Sequence, residues 1–362
     1  MSTENFEPDW ASPPGKTIGA ILRKQSLSPA ELAHRTEQNL DEVLALLDGR
    51  RTITLSIARR LSDVLGGSVE FWMARDYRYR ETLRKLEVSH NDWLAELPVN
   101  EMSKFGWLAT TPSEIVGACL RFFGVPSVSA WRSSYGDLLN TTAFRASKSY
   151  ASKPGAVAAW LRAGEHQAAA IDCANWDPEG FRKALRKIRA LTRYKDPDRF
   201  VPPLRELCAQ QGVAVTIVRA PTGCRASGAT RFIDPRKAIL QLSFRFLTDD
   251  QFWFTFFHEA SHLLLHGPGR FFLEESDAPI TVQETEANEF AARILIPASA
   301  EAEMLQLPRN SKAVIKFAGS IGIAPGIVVG QLQHRGKLRP ADLNKLKRRY
   351  AWDESSAIRG KT

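Results

Sequence analysis

The feature that most constrains this chain is a pair of histidines four residues apart with a glutamate beside the first: His258-Glu259-Ala260-Ser261-His262. Thr248-Asp249-Asp250-Gln251 reads as a capping box that starts a helix, and Gly267-Pro268 ends it. A helix over roughly 250–266 is therefore predicted. On a helix, residues i and i+4 project from one face. Two neutral imidazoles at that spacing suit a tetrahedral zinc ion. Glu259, one residue further on, lies beside the metal rather than on it. That is where a general base takes a proton from water and later returns it to a leaving amine. Chance produces such a pentapeptide in roughly 1% of chains of this composition, so a metal site outweighs a pair of structural histidines.

A catalytic zinc needs a third protein ligand and one open position. The run Glu284-Thr285-Glu286-Ala287-Asn288-Glu289-Phe290-Ala291-Ala292 reads as a second helix, apolar at Ala287, Phe290, Ala291 and Ile294 and stopped by Pro297. Glu284 and Asn288 are i and i+4. Glu284 is the candidate third ligand. Asn288 can accept a hydrogen bond from a ligand histidine and fix its tautomer. Glu286 and Glu289 are the weaker choices for the ligand. His266 lies one turn beyond His262 and has two readings: a histidine favoured by the helix C-terminus, or a catalytic residue touching substrate. No oxyanion donor is identifiable.

Around this site the chain reads as α+β and predominantly helical. Residues 15–83 form a run of short helices, with capping boxes at Ser28-Pro29-Ala30-Glu31 and Asn39-Leu40-Asp41-Glu42, and stops at Gly49 and Gly66-Gly67. Residues 88–200 are a helical middle region of unknown role, with loops at Leu97-Pro98, around Gly124 and from Ser147 to Gly155. Residues 201–352 hold the metal site. There Val213–Val218, Ala229–Ile233 and Ala238–Phe246 predict a small sheet just before the metal helix. Asp353 to Thr362 reads as a frayed tail.

Composition limits the partners. The net charge is +9, which permits nucleic acid without establishing it. Much of the excess sits in Arg182, Lys183, Arg186, Lys187, Arg189 and Arg193, and in Lys345, Lys347, Arg348 and Arg349. Both clusters read as solvated helix faces. No apolar run approaches a membrane span, and Met1 to Pro14 is no secretory signal. A cytoplasmic protein without membrane contact is expected. The four cysteines, Cys119, Cys173, Cys208 and Cys224, are scattered and read as reduced thiols. Cys224, in a loop before the metal helix, has a redox or zinc-blocking role as its alternative.

Phe256-Phe257-His258-Glu259-Ala260-Ser261-His262-Leu263-Leu264-Leu265-His266, with Glu284 to Pro297, resembles the ImmA/IrrE family of bacterial metallopeptidases. The likeness covers roughly residues 200–340. It implies a compact gluzincin-like domain with zinc on His258, His262 and Glu284, and Glu259 as general base. Ala260-Ser261 departs from the bulky residue and glycine often found there. Members of this family cleave a helix–turn–helix repressor, which is the substrate class the resemblance implies. Separately, Ser26 to Ala33, Leu47 to Thr54, Ala58 to Leu61 and Phe71-Trp72 resemble the helix–turn–helix of XRE-type regulators, especially the HigA branch.

The expected function is a zinc-dependent intracellular endopeptidase acting on a helix–turn–helix repressor. The alternative is a DNA-binding regulator or HigA-like antitoxin whose zinc domain is a sensor or interaction platform. For DNA, Asn39, Arg50 and Arg51 are the candidate contacts on a double-stranded site. Asp41 and Glu42 stand against it, because they would face an anionic duplex. Docking onto a protein is the other role for that module, and a homodimer is among the partners considered.

Overall fold

The computed structural model describes residues 11–109, 111–145, 152–267, 272–275, 281–353 and 356–360. Pro268, most of the Ser147–Gly155 loop and the ends of the chain lie outside the described residues. The chain forms two compact units, one up to Ala95 with Ser127–Ala130, the other from Glu96 to Pro126 and from Trp131 onward.

The first unit is helical: α1 (Pro14–Gln25), α2 (Pro29–Arg35), α3 (Leu40–Leu47), α4 (Leu55–Leu65) and α5 (Val69–Glu96). Ser28 and Asn39 start α2 and α3 with reciprocal capping boxes through Glu31 and Glu42. Those two boxes satisfy amide groups that the helix itself leaves orphaned. The apolar faces meet in a core of Ile18, Leu22, Leu32, Val43, Leu46, Ile57, Leu61 and Trp72. Gly15 is required where α1 meets the end of α3, because a Cβ there would lie 1.8 Å from the Leu47 carbonyl oxygen. The last helix is longer than the expected run of short helices. It carries no Gly or Pro between Val69 and Glu96, so nothing stops it before Pro98.

In the second unit, α6 (Val99–Lys104), α7 (Ile115–Phe123) and α8 (Val128–Arg145) come first; α8 begins in the other unit. Then follow α9 (Pro154–Ala169), α10 (Pro178–Leu191) and α11 (Pro197–Ala209). Asp177 and Asp196 cap α10 and α11 ahead of a proline at the first helical position. The sheet has strands β1 (Val213–Ile217), β2 (Ala226–Asp234), β3 (Lys237–Leu242) and β4 (Phe272–Glu275), in the order β1-β3-β2-β4. β1 and β3 are parallel, and the other pairs are antiparallel.

Strand alternation assigns each face its cover. Val213, Val215, Ile217, Leu240 and Leu242 face the large core shared with α10, α11 and the metal helix α12 (Asp249–Leu265). Ala214 and Ile239 face the other way, onto Ala168 of α9. Gly164 lets α9 come close: a Cβ there would meet the Gln241 side chain at 1.8 Å. Residues 88–200 are thus not all apart from the metal site, since α9, α10 and α11 cover its sheet.

After α12 come α13 (Val282–Leu295), α14 (Ala298–Leu305), α15 (Ser311–Ile321) and α16 (Pro325–His334). The chain then makes the hairpin β5 (Tyr350–Trp352) and β6 (Ile358–Gly360), where a frayed tail was expected. Tyr350 and Ile358 are buried in the core, which holds the hairpin down. Two basic residues read as solvated are also structural. Arg189 donates to the Leu295 and Ile321 carbonyls at the ends of α13 and α15, and Arg348 donates to the carbonyls of Thr192, Arg193 and Tyr194. Orphan carbonyls at helix C-termini attract such cations. Among the described residues, no single helix is long and apolar enough to cross a membrane.

Candidate metal centre

The helix that carries His258 and His262 is buried on nearly every side. Trp253, Phe256 and Phe257 are fully buried along it, so its position is set by the core rather than by helix propensity. Its start differs from the capping box read in the sequence: Thr248 makes no side-chain cap. Instead Asp249 accepts from the backbone amides of Asp250 and Arg348. The buried Asp250 pairs with the half-buried Lys347 at 2.7 Å. Burial, with the neighbouring Asp250 charge adding to it, pushes the Asp249 carboxyl up to about 7. Gly326 and Gly330 of α16 give these two aspartates room, because a Cβ at either would come within 2.7 Å of a carboxylate oxygen.

One turn apart on α12, His258 and His262 bring their Nε2 atoms to 3.1 Å of each other. Glu284, in the first turn of α13, completes a group with them. Its Oε2 is 3.1 Å from His258 Nε2, and its Oε1 is 3.7 Å from His262 Nε2. Thr281 caps α13 by accepting from the Glu284 amide, which places Glu284 in that turn. The ligand atoms of all three residues lie within 4.8 Å of one another.

The chemistry of this donor set fits zinc. Ligand atoms at about 2.0–2.1 Å from a tetrahedral ion stand about 3.3 Å apart, close to the separations here. Asn288 Oδ1 lies 3.0 Å from His258 Nδ1. An amide oxygen there accepts that N–H and leaves the His258 Nε2 lone pair facing Glu284. Burial lowers the pKa of His262, against the pull of the neighbouring Glu284 carboxylate, and so favours its neutral form. Burial works to raise the Glu284 pKa, but the two imidazoles of His258 and His262 beside it outweigh burial and hold the carboxyl well below the usual carboxylate range. Neutral imidazoles and an ionised carboxylate are what a divalent cation takes.

Glu259 is fully buried and accepts a 2.8 Å hydrogen bond from Thr230 Oγ1 on β2. Two residues earlier on the same face of that strand, Gly228 lies directly against it; a Cβ there would come to 2.5 Å from the Glu259 Cγ and Oε1. On the other side, Phe272 of β4 stacks on the His262 ring, centroids 4.0 Å apart and planes at 15°. None of Thr230, Gly228 or Phe272 stood out in the sequence. The small-residue run Ala226-Ser227-Gly228-Ala229-Thr230 was the available signal, since a strand that lets a helix carboxylate approach must be small on that face.

Residues 210–327 match the Peptidase_M78 family, the IrrE N-terminal-like domain. The match spans about a third of the chain and contains the whole His258, His262 and Glu284 group. It supports a metallopeptidase of the ImmA/IrrE type, a hydrolase of peptide bonds. A comparison with curated proteins finds no match.

The remaining candidates lie elsewhere. His266 sits behind His262, Nδ1 to Nδ1 at 3.0 Å, with its Nε2 3.0 Å from Glu286 Oε2. Glu289 pairs with Arg293 on the exposed side of α13. Cys224 is not among the grouped residues, and the four cysteines form no disulfide. In the first unit Asn39 is occupied as the cap of α3, Arg50 pairs with Asp48, and Arg51 pairs with Glu42.

Proposed function

We propose that this chain is a zinc-dependent endopeptidase with His258, His262 and Glu284 as metal ligands and Glu259 as general base. The observation that carries it is the convergence of the three ligand groups within 4.8 Å, on the helix that also holds Glu259. When bound, zinc supplies Lewis acidity towards a carbonyl and lowers the pKa of water. Glu259 takes the proton of the attacking water on its carboxylate and hands it to the leaving amine. Thr230 holds one oxygen of that carboxylate, and Gly228 leaves it the space to sit there. Asn288 keeps the His258 ring in the tautomer whose Nε2 is bare.

The proposed substrate is a protein of the helix–turn–helix repressor class, met in the cytoplasm. The likeness to ImmA/IrrE proteins supports this. The first unit is proposed to dock protein rather than to read DNA. Its α3 and the start of α4 leave Leu40, Leu44 and Leu55 exposed, at 44%, 39% and 51%, while both candidate phosphate contacts are paired with carboxylates. Phosphate binding depends on cations able to replace counterions, so the regulator reading is the weaker one.

The test is metal content. The purified full chain should hold one zinc ion, and Glu284→Ala should lose or weaken it. The Glu259→Gln chain should keep zinc and fail to cut a helix–turn–helix repressor that the wild type cuts. Normal cleavage by Glu259→Gln would sink the mechanism.

A further inference from the structure

We infer that His266 and Glu286 act as a relay that selects the tautomer of His262 and so prepares its Nε2 for the metal. The inference rests on the metal-centre reading above and goes beyond it, by assigning positioning roles to two residues outside the ligand set.

Proton accounting leads there. His262 Nε2 faces His258 and Glu284, while its Nδ1 faces His266 Nδ1 at 3.0 Å. No metal position lies between the two Nδ1 atoms, unlike the Nε2 atoms of His258 and His262, so this contact needs a proton and either His262 or His266 donates. The other nitrogen of His266 decides which. It lies 3.0 Å from a carboxylate oxygen of Glu286, and a carboxylate accepts only. His266 therefore carries its proton on Nε2, and its Nδ1 is a lone pair. His262 must then donate from Nδ1, and its Nε2 is left bare towards the metal position. The opposite tautomer would put a hydrogen where the ion belongs. A doubly protonated His266 would instead donate from Nδ1 to His262 and leave the His262 proton on Nε2, so the relay works with His266 neutral.

The two ligand histidines are thus prepared differently. Asn288, a neutral amide on α13, serves His258 directly. Glu286, on the same helix, serves His262 through His266. Phe272 stacks on His262, centroids 4.0 Å apart, and packs at a tilt against His266, centroids 5.2 Å apart, and so limits the rotation of both rings. The His266 side chain is 6% exposed and that of Glu286 is 55% exposed. Glu286 can therefore be changed without opening the core. Its neighbour Glu289 is exposed to a similar degree, 58%, but makes no contact with His266 that would join it to the relay, being paired with Arg293.

The experiment measures zinc affinity of the full chain by chelator competition, for wild type, Glu286→Ala, Glu286→Gln, His266→Phe, the Glu286→Ala/His266→Phe double variant, and Glu289→Ala. Removing a group that orients a metal ligand typically weakens affinity about 10–100-fold, and Glu286→Ala should fall in that range. Glu286→Gln, whose amide oxygen still accepts from His266, should stay within about 3-fold of wild type. The double variant should bind no worse than His266→Phe alone, because both changes cut the same chain. Ring-nitrogen NMR of the metal-free chain should find His262 protonated on Nδ1 in wild type, and a mixture in Glu286→Ala. Unchanged affinity in Glu286→Ala would overturn the relay. So would equal losses in Glu286→Ala and Glu286→Gln, or a matching loss in Glu289→Ala, either of which would reduce Glu286 to a charge near the site. Absence of zinc binding by the wild type would instead overturn the metal-centre reading, and the relay with it.

Discussion

In the first unit Asn39 spends its side chain capping α3, and Arg51 is held by Glu42 from that same cap. In the second unit His258, His262 and Glu284 come from two helices and meet with their donor atoms facing one another. Both sets were picked out in the sequence as functional. One set is consumed by its own local fold, within residues 39–51. The other converges across the core, and its supporting groups come from a strand, an edge strand and a second helix. A polar residue satisfied by its nearest neighbours is explained by structure alone. Buried polar residues brought together from distant segments, lone pair towards lone pair, call for something between them.

Four measurements sharpen or break that contrast. The largest effect should come from Glu259→Gln, which should lower peptide cleavage about 10²–10⁴-fold, the usual worth of a positioned general base, with zinc content unchanged. Parallel loss of zinc would mean that Glu259 serves the metal rather than the proton.

Next is the buried start of the metal helix. Asp249 is fully buried, with its carboxyl pushed up from 3.8 to about 7. A raised pKa means the folded chain binds the proton more tightly than the unfolded one. The stabilisation is then complete below about pH 4 and is lost as pH rises through about 7. Asp249→Asn removes that dependence. In urea unfolding, its stability relative to wild type should rise between pH 5 and pH 8, by on the order of 2–4 kcal/mol at most. Asp41→Asn, at an exposed first-turn position of α3, should change stability by less than about 1 kcal/mol. Matching pH profiles for the two variants would remove this difference between the units.

A smaller effect is expected from Asn39→Ala, which loses a helix cap and should cost about 1 kcal/mol, measured by chemical unfolding. Duplex binding, assayed at two salt concentrations, should be no weaker in that variant than in wild type. The smallest effect belongs to Arg50→Ala and Arg51→Ala. As exposed and half-exposed pairs they should each shift stability by less than about 1 kcal/mol, with no change in any duplex affinity. A salt-dependent affinity that falls in these variants would break the comparison and restore the regulator reading.

Legibility followed the range of the interaction. The metal helix was read as roughly 250–266 and runs from Asp249 to Leu265, because periodicity and the Gly267 stop are local. The first three strands were recognised from β-branched runs and the Asp234-Pro235 turn. Strand β4 was missed because Phe272–Glu275 is short and is a strand only by pairing with β2. The β5–β6 hairpin was missed for a similar reason: Tyr350 and Ile358 are held by burial in a core built from residues far away in sequence. Arg189 and Lys347 looked like surface charge because nothing local announces the carbonyls and the Asp250 carboxylate that bind them.

By itself the sequence determined the pair of imidazoles, the carboxylate beside them and the second helix with Glu284 and Asn288, because one turn of helix sets those spacings wherever the helix lies. Only the tertiary structure decided what supports them: Thr230 and Gly228 against Glu259, Phe272 on His262, and Glu286 reaching His262 through His266. Hydrogen bonds and ring stacking act over a few ångströms of space, whatever the number of residues between the partners, and only the packed core brings those groups within that reach.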